Sequence, residues 1–138
     1  MSQQVFEKRV SILCVEQESA EWIALQDYSW IADWHISLAQ TQKNATDMLC
    51  AQKFDLILYD SSSWEAESFE FLRQLRTFDH INRYTPVIMC TSMRTRAFLR
   101  AAADAGIAEM LEKPVLFSQL LSVVKEHVLA KNTATELG

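Results

Sequence analysis

Short apolar runs separated by helix-length segments constrain this chain more than any other feature. Five such runs occur, over residues 10–15, 35–39, 55–60, 87–90 and 107–111. The first, Val-Ser-Ile-Leu-Cys-Val, is rich in β-branched residues that pack well on a pleated surface. The third, Leu56 to Tyr59, is continuously apolar, as a strand buried on both faces must be. Between them lie segments with helical spacing. Ser19 and Glu21 open one, with Trp22, Ile23, Leu25 and Trp30 as its apolar positions and 30–34 as a link. Thr41 or Asn44 begins the next, carrying Ala45, Met48, Leu49 and Ala51. Residues 65–76 place Phe69, Leu72 and Leu75 three apart with Phe71 beside them. Residues 94–105 are alanine-rich, closed by Gly106 as a C′ residue. Residues 115–131 set Leu116, Leu120, Leu121, Val124 and Val128 on one face. Strands alternating with helices imply right-handed βαβ crossovers, hence a parallel sheet covered on both faces.

Several function classes are excluded early. The chain has only two glycines, Gly106 and Gly138, so no glycine-rich phosphate loop or dinucleotide fingerprint is present. A net charge of −5 argues against a nucleic-acid-binding surface. No apolar run approaches the ~20 residues of a membrane-spanning helix. The polar start, residues 1–10, does not read as a signal peptide. Cys14, Cys50 and Cys90 are odd in number and widely spaced, and read as three reduced core thiols of a cytosolic protein. His35, His80 and His127 show no ligand spacing. The 138 residues suffice for one domain, expected over 1–131, with 132–138 as a tail lacking any core-forming pattern. No DNA-binding or enzymatic module follows, so output is expected through another protein.

The chemistry lies where the runs stop. They end in Glu16-Gln17, Asp60, Thr91-Ser92 and Lys113-Pro114. In a parallel sheet these ends share one edge, the edge at which open α/β sheets bind ligands. Two acids, a hydroxyl and a lysine meeting there suit phosphoryl transfer to a carboxylate. Oxygen donors hold a divalent ion such as Mg²⁺. A lysine offsets charge on the phosphoryl oxygens. Asp60 is the candidate nucleophile, forming an acyl phosphate.

The four motifs, in order, resemble the receiver domain of two-component response regulators across nearly the whole chain. They are Ile12-Leu13-Cys14-Val15-Glu16-Gln17-Glu18-Ser19, Asp55-Leu56-Ile57-Leu58-Tyr59-Asp60, Thr85-Pro86-Val87-Ile88-Met89-Cys90-Thr91-Ser92, and Gly106-Ile107-Ala108-Glu109-Met110-Leu111-Glu112-Lys113-Pro114. The resemblance implies a flavodoxin-like α/β fold with strand order 2-1-3-4-5 and five helices. It implies Asp60 as phosphoacceptor, Thr91 as switch hydroxyl and Lys113 as phosphate-binding lysine, followed by an often-cis bond to Pro114. Glu16, Asp60, the Ser62 carbonyl and, weakly, Gln17 would hold Mg²⁺. The implied partners are a histidine kinase or histidine phosphotransfer protein, and an effector docking on the fourth helix, fifth strand and fifth helix. A homodimer is a further expectation. No enzymatic activity beyond its own phosphorylation and dephosphorylation is implied.

The sequence departs from the family pattern at three places. Gln17 is neutral where a second acid is usual, which weakens attraction for Mg²⁺. Ser63, Trp64 and Ser68 stand where a Met-Pro and a later glycine are usual. Met110 replaces the aromatic switch residue and is more flexible. Gln17 and Met110 support the alternative of a degenerate receiver that acts only as an interaction or dimerisation module. An aspartyl-phosphate hydrolase is disfavoured, because Ser62 occupies the place of its second acid. Trp22, Trp30, Trp34 and Trp64 read mostly as core or half-buried, with Trp64 a candidate to shield the pocket.

Overall fold

In the computed structural model, residues 9–16, 19–61, 66–92 and 95–129 are described. The strands are β1 (Ser11–Val15), β2 (His35–Ala39), β3 (Leu56–Ser61), β4 (Val87–Thr91) and β5 (Glu109–Glu112). The helices are α1 (Ser19–Ala32), α2 (Gln42–Ala51), α3 (Ala66–Thr77), α4 (Arg96–Asp104) and α5 (Phe117–Val124), the last continued by a π turn over Lys125–Leu129. The five strands form one parallel sheet in the order β2-β1-β3-β4-β5. This is the flavodoxin-like arrangement expected from the alternation, with each βαβ unit crossing over one face.

Strand periodicity divides the core in two, because successive side chains point to opposite faces. On one face Leu13, Val15, Ile57, Tyr59, Val87 and Met89 meet Leu49 of α2, Leu72 of α3 and Phe98 of α4. On the other, Ile12, Cys14, Leu56, Leu58, Ile88 and Cys90 meet Leu25 of α1 and Leu120, Val123 and Val124 of α5. Each fully buried side chain of this size stabilises by about 1.5–3 kcal/mol relative to exposure. β1, β3 and β4 are sandwiched between both clusters, which is why their sequences are apolar except at their ends.

Helix boundaries follow local chemistry. The Thr41 hydroxyl accepts from the Asn44 N–H at 3.1 Å and caps α2. The Thr95 hydroxyl does the same for Phe98 at 3.2 Å, so α4 starts one residue beyond it rather than at 94. Gly106 ends α4 at φ 85. Its N–H bonds the Ala103 carbonyl, and the Ile107 N–H bonds that of Ala102. This is a full Schellman closure, where glycine adopts the left-handed backbone without penalty. α1 ends in a comparable way without glycine. Asp33 takes φ 59, and the Trp34 N–H reaches the Ser29 carbonyl at 2.9 Å.

Four sequence expectations change. The segment 30–34 is the last turn of α1 and its cap, not a separate link. The buried stripe of α1 runs through Trp22, Leu25, Tyr28 and Ala32. Ile23 and Trp30, seven residues apart on the opposite side, are 61% and 87% exposed. Trp30 is therefore no core residue, whereas Trp34 is buried. Cys50 is exposed, unlike Cys14 and Cys90, because it lies on α2 just off the stripe that buries Ala45 and Leu49. Leu116 precedes α5 and is exposed; Val123 takes the inner place instead. No helix among the described residues is long and apolar enough to cross a membrane. The expected tail over 132–138 lies outside the described residues.

Candidate functional site

Only four polar or charged residues are buried among those described: Asp60, Asn82, Thr85 and Thr91. They fall at opposite edges of the sheet, and the contrast locates the site. Asn82 and Thr85 lie beside the N-terminal ends of β3 and β4. Asn82 Oδ1 accepts from the Phe54 N–H at 2.8 Å, and its Nδ2 donates to the Leu49 and Gln52 carbonyls at 2.7 Å each. Thr85 Oγ1 donates to the Phe54 carbonyl and Asn82 Oδ1, and accepts from Lys53 Nζ. Arg76 Nη1 donates to the Arg83 and Thr85 carbonyls, and burial lowers its pKa. These groups bond mainly to backbone, which is the signature of structural work.

At the C-terminal edge the polar groups are charged. Asp60 lies at the end of β3, where register places it opposite Cys90, with Ser61 opposite Thr91. Thr91 ends β4 opposite Glu112, so Lys113 is the first residue beyond β5. The Lys113 N–H extends the ladder by bonding the Thr91 carbonyl at 3.1 Å. The Lys113 ammonium then reaches back over β4 to pair directly with Asp60 Oδ1. The two side chains are 9% and 1% exposed. A buried ion pair is poor evidence for stability, because desolvation offsets most of the attraction. A carboxylate and ammonium placed together at a strand-end crevice point instead to chemistry.

The surroundings fix this pair. The Lys113–Pro114 peptide is cis. Tyr28 Oη donates to the Val115 carbonyl at 3.0 Å, and the Tyr28 ring packs on Phe117 at 5.3 Å. α1 thus anchors the chain two residues beyond the lysine. Glu16 follows β1 in a left-handed conformation, φ 58, with its N–H bonded to the Ala39 carbonyl. Its Oε2 lies 3.5 Å from Tyr59 Oη, which in turn accepts from Gln42 Nε2 at 3.0 Å. Met110 packs, partly buried, against the cluster containing Met89 and Phe98. Sequence reading had passed over Tyr28 and Tyr59; nothing in their spacing marks a hydroxyl that bonds across the fold. Gln17, Glu18, Ser62, Ser63 and Trp64 lie outside the described residues.

The donors at this edge suit a hard cation. Asp60 and Glu16 offer carboxylate oxygens, the ligand type Mg²⁺ prefers. The nearest soft donor is withheld. Burial, and then the Asp60 charge, push the Cys90 thiol well above its ordinary range, so no thiolate competes.

Comparison with known proteins agrees with this geometry. The profile of the response regulator receiver domain matches residues 12–125. The sensory/regulatory protein RpfC of Xanthomonas campestris pv. campestris (strain 8004) is 24% identical over 120 residues, 86% of this chain and 16% of its own length. The chain spans between 16% and 54% of the length of the curated relatives it matches. Among solved structures, the receiver domain of sensor histidine kinase PA1611 from Pseudomonas aeruginosa superposes with a TM-score of 0.75 at 19% identity, covering 87% of this chain and 98% of that one. That structure has a magnesium ion coordinated in its active-site cleft. The Saccharomyces cerevisiae complex of phosphotransfer protein Ypd1 with the receiver domain of Ssk1 gives 0.76 at 18% identity, covering 89% and 91%. A profile spanning most of the chain, a sheet in the order 2-1-3-4-5 and a buried aspartate–lysine pair at its ligand-binding edge converge on one assignment. The chain belongs to the response regulator receiver domain family, the signalling module of two-component systems and phosphorelays.

Proposed function

We propose that this receiver accepts a phosphoryl group on Asp60 from a phosphohistidine of a histidine kinase or phosphotransfer protein. The observation that carries the reading is the Lys113 ammonium seated on Asp60 Oδ1, with both side chains nearly buried. An Asp60 carboxylate oxygen attacks phosphorus; the P–N bond breaks as the P–O bond forms, and the imidazole leaves with the electron pair. Lys113 is placed to offset charge on the transferring oxygens, where most stabilisation of such a step arises. Thr91, buried one position beyond the residue opposite Asp60, supplies a hydroxyl for a phosphoryl oxygen. Glu16 and Asp60, with the Ser62 carbonyl and the Gln17 amide, would hold Mg²⁺, which when bound neutralises phosphoryl charge. The magnesium in the Pseudomonas neighbour and the phosphotransfer partner of the yeast neighbour support this assignment of ion and donor.

Movement of Thr91 toward the new phosphoryl group would shift the population between two packings of α4, β5 and α5, the face offered to an effector or a second copy. Met110 packs here beside Met89 and Phe98, so the relay in this chain runs through a flexible thioether.

The test is uptake of one phosphoryl group from a small phosphodonor with Mg²⁺, followed by intact-mass measurement, and beryllofluoride binding in parallel. Wild type takes up one group and Asp60→Asn takes up none. Absence of uptake in wild type at millimolar Mg²⁺ would overturn the proposal and leave a phosphorylation-independent interaction module.

A further inference from the structure

A second cluster of donor groups lies on the opposite end of β5. Glu109 opens that strand, three residues and about 10 Å back from Glu112 at the phosphoacceptor edge. It faces the last helix, where α5 widens into the π turn. Glu126 and His127 sit in that turn, and π turns recur at functional sites. One donor atom from each of Glu109, Glu126 and His127 lies within 4.8 Å of the other two.

His127 stands between the two carboxylates at ion-pair rather than hydrogen-bond distances. His127 Nε2 lies 3.6 Å from Glu109 Oε1 and 3.9 Å from Glu126 Oε2, beyond hydrogen-bonding distance. That nitrogen is buried and makes no hydrogen bond. Two carboxylates this close repel unless a cation lies between them, a role open to a protonated His127 or to a bound metal ion. Donors sharing a tetrahedral ion with bonds of about 2.0–2.1 Å stand about 3.3 Å apart. The two histidine–glutamate gaps need to close by about 0.3 and 0.6 Å, and the glutamate–glutamate gap, within 4.8 Å, by up to about 1.5 Å. Residues adjacent on a regular helix point in directions too different to share an ion. In the π turn the Glu126 carboxylate comes to 3.9 Å from His127 Nε2.

We propose that Glu109, Glu126 and His127 form a binding site for a divalent transition metal, of which Zn²⁺ is the model, clamping the last helix to the edge strand β5. An imidazole with two carboxylates favours zinc-like ions over Mg²⁺, which separates this site chemically from the Asp60 pocket. The three donors leave a fourth position for water or a group from a partner. Bound metal would fix the α5–β5 contact and so bias the packing of that face independently of phosphorylation.

The test uses the full chain with the Asp60 pocket saturated with Mg²⁺. Co²⁺ is titrated and followed by its visible absorption, then displaced by Zn²⁺, with thermal midpoints measured alongside. Wild type is expected to bind one Co²⁺ with tetrahedral absorption and to melt higher with Zn²⁺. His127→Gln should abolish the absorption. Glu126→Gln should weaken binding at least about tenfold. Glu126 is 65% exposed, so its loss leaves the metal-free melting point unchanged and keeps a folding defect from imitating the result. Asp60→Asn and Cys50→Ser should bind as wild type does. Absence of binding, binding retained in His127→Gln and Glu126→Gln, or binding lost in Asp60→Asn or Cys50→Ser would each overturn the proposal.

Discussion

Replacing Asn82 by alanine should destabilise this fold more than most single changes, although Asn82 lies at the edge of the sheet opposite Asp60. Its amide bonds three backbone groups from two elements: the Phe54 N–H, and the Leu49 and Gln52 carbonyls. The Phe54 N–H is buried and would lose its acceptor, at about 1–3 kcal/mol. The Leu49 carbonyl would lose its external donor, at about 1 kcal/mol. Gln52 is exposed, so water replaces the amide at its carbonyl for little. The sum is about 2–4 kcal/mol. With a urea m-value of about 1.5 kcal/mol/M, the midpoint falls by roughly 1.3–2.7 M with m unchanged. Asn82→Asp keeps the acceptor for Phe54 but removes both donors and buries a charge, so it should be no milder. Equilibrium urea unfolding followed by tryptophan fluorescence and circular dichroism measures both. A loss below about 0.5 kcal/mol in Asn82→Ala would refute the view that this amide joins the entrances of β3 and β4.

Two further outcomes follow from burial and charge. Cys14 is pushed from its ordinary 9.0 up to about 12 by burial, and burial raises Cys90 further. Each thiol is neutral in the folded chain while its unfolded counterpart ionises, so stability is unaffected below pH 9 and falls between about pH 9 and 12, by up to about 1.4 kcal/mol per pH unit per thiol. Cys14→Ala should flatten that slope by one thiol's share; an unchanged slope in alkaline urea titrations counts against it. The same burial leaves Cys50 as the cysteine of the three that a thiol reagent modifies without unfolding. Trp34→Ala should cost about 3–5 kcal/mol as a core deletion, whereas Trp30→Gln should stay within about 0.5 kcal/mol. Comparable losses at both positions in thermal melts would contradict the outward placement of Trp30.

The centre of the sheet was legible because β1, β3 and β4 are buried on both faces and so carry polar residues only near their ends. The strand-end residues stood out for the same reason: Asp60 and Thr91 are the first polar residues after their apolar runs, and Lys113 follows Glu112 just before Pro114. What sequence reading missed lies in long-range hydrogen bonding and in helix orientation. Asn82 sits in a polar stretch, 77–85, that reads as a surface connection, and only tertiary structure turns its amide inward. α1 is apolar on more than one side, so spacing alone could not choose between the stripe of Leu25 and that of Ile23 and Trp30. The cluster of Glu109 with Glu126 and His127 joins two elements, and no spacing along the chain announces it.

Lys113 is tied at both ends to different strands. Its main chain is fastened to β4 through Thr91, and its ammonium to β3 through Asp60. It therefore acts as a strut across three strands at the rim of the sheet. A group inserted between carboxylate and ammonium would have to be taken up by the flexible lysine stem or by a tilt of β5, so a modification at a single oxygen would be felt at the sheet's edge.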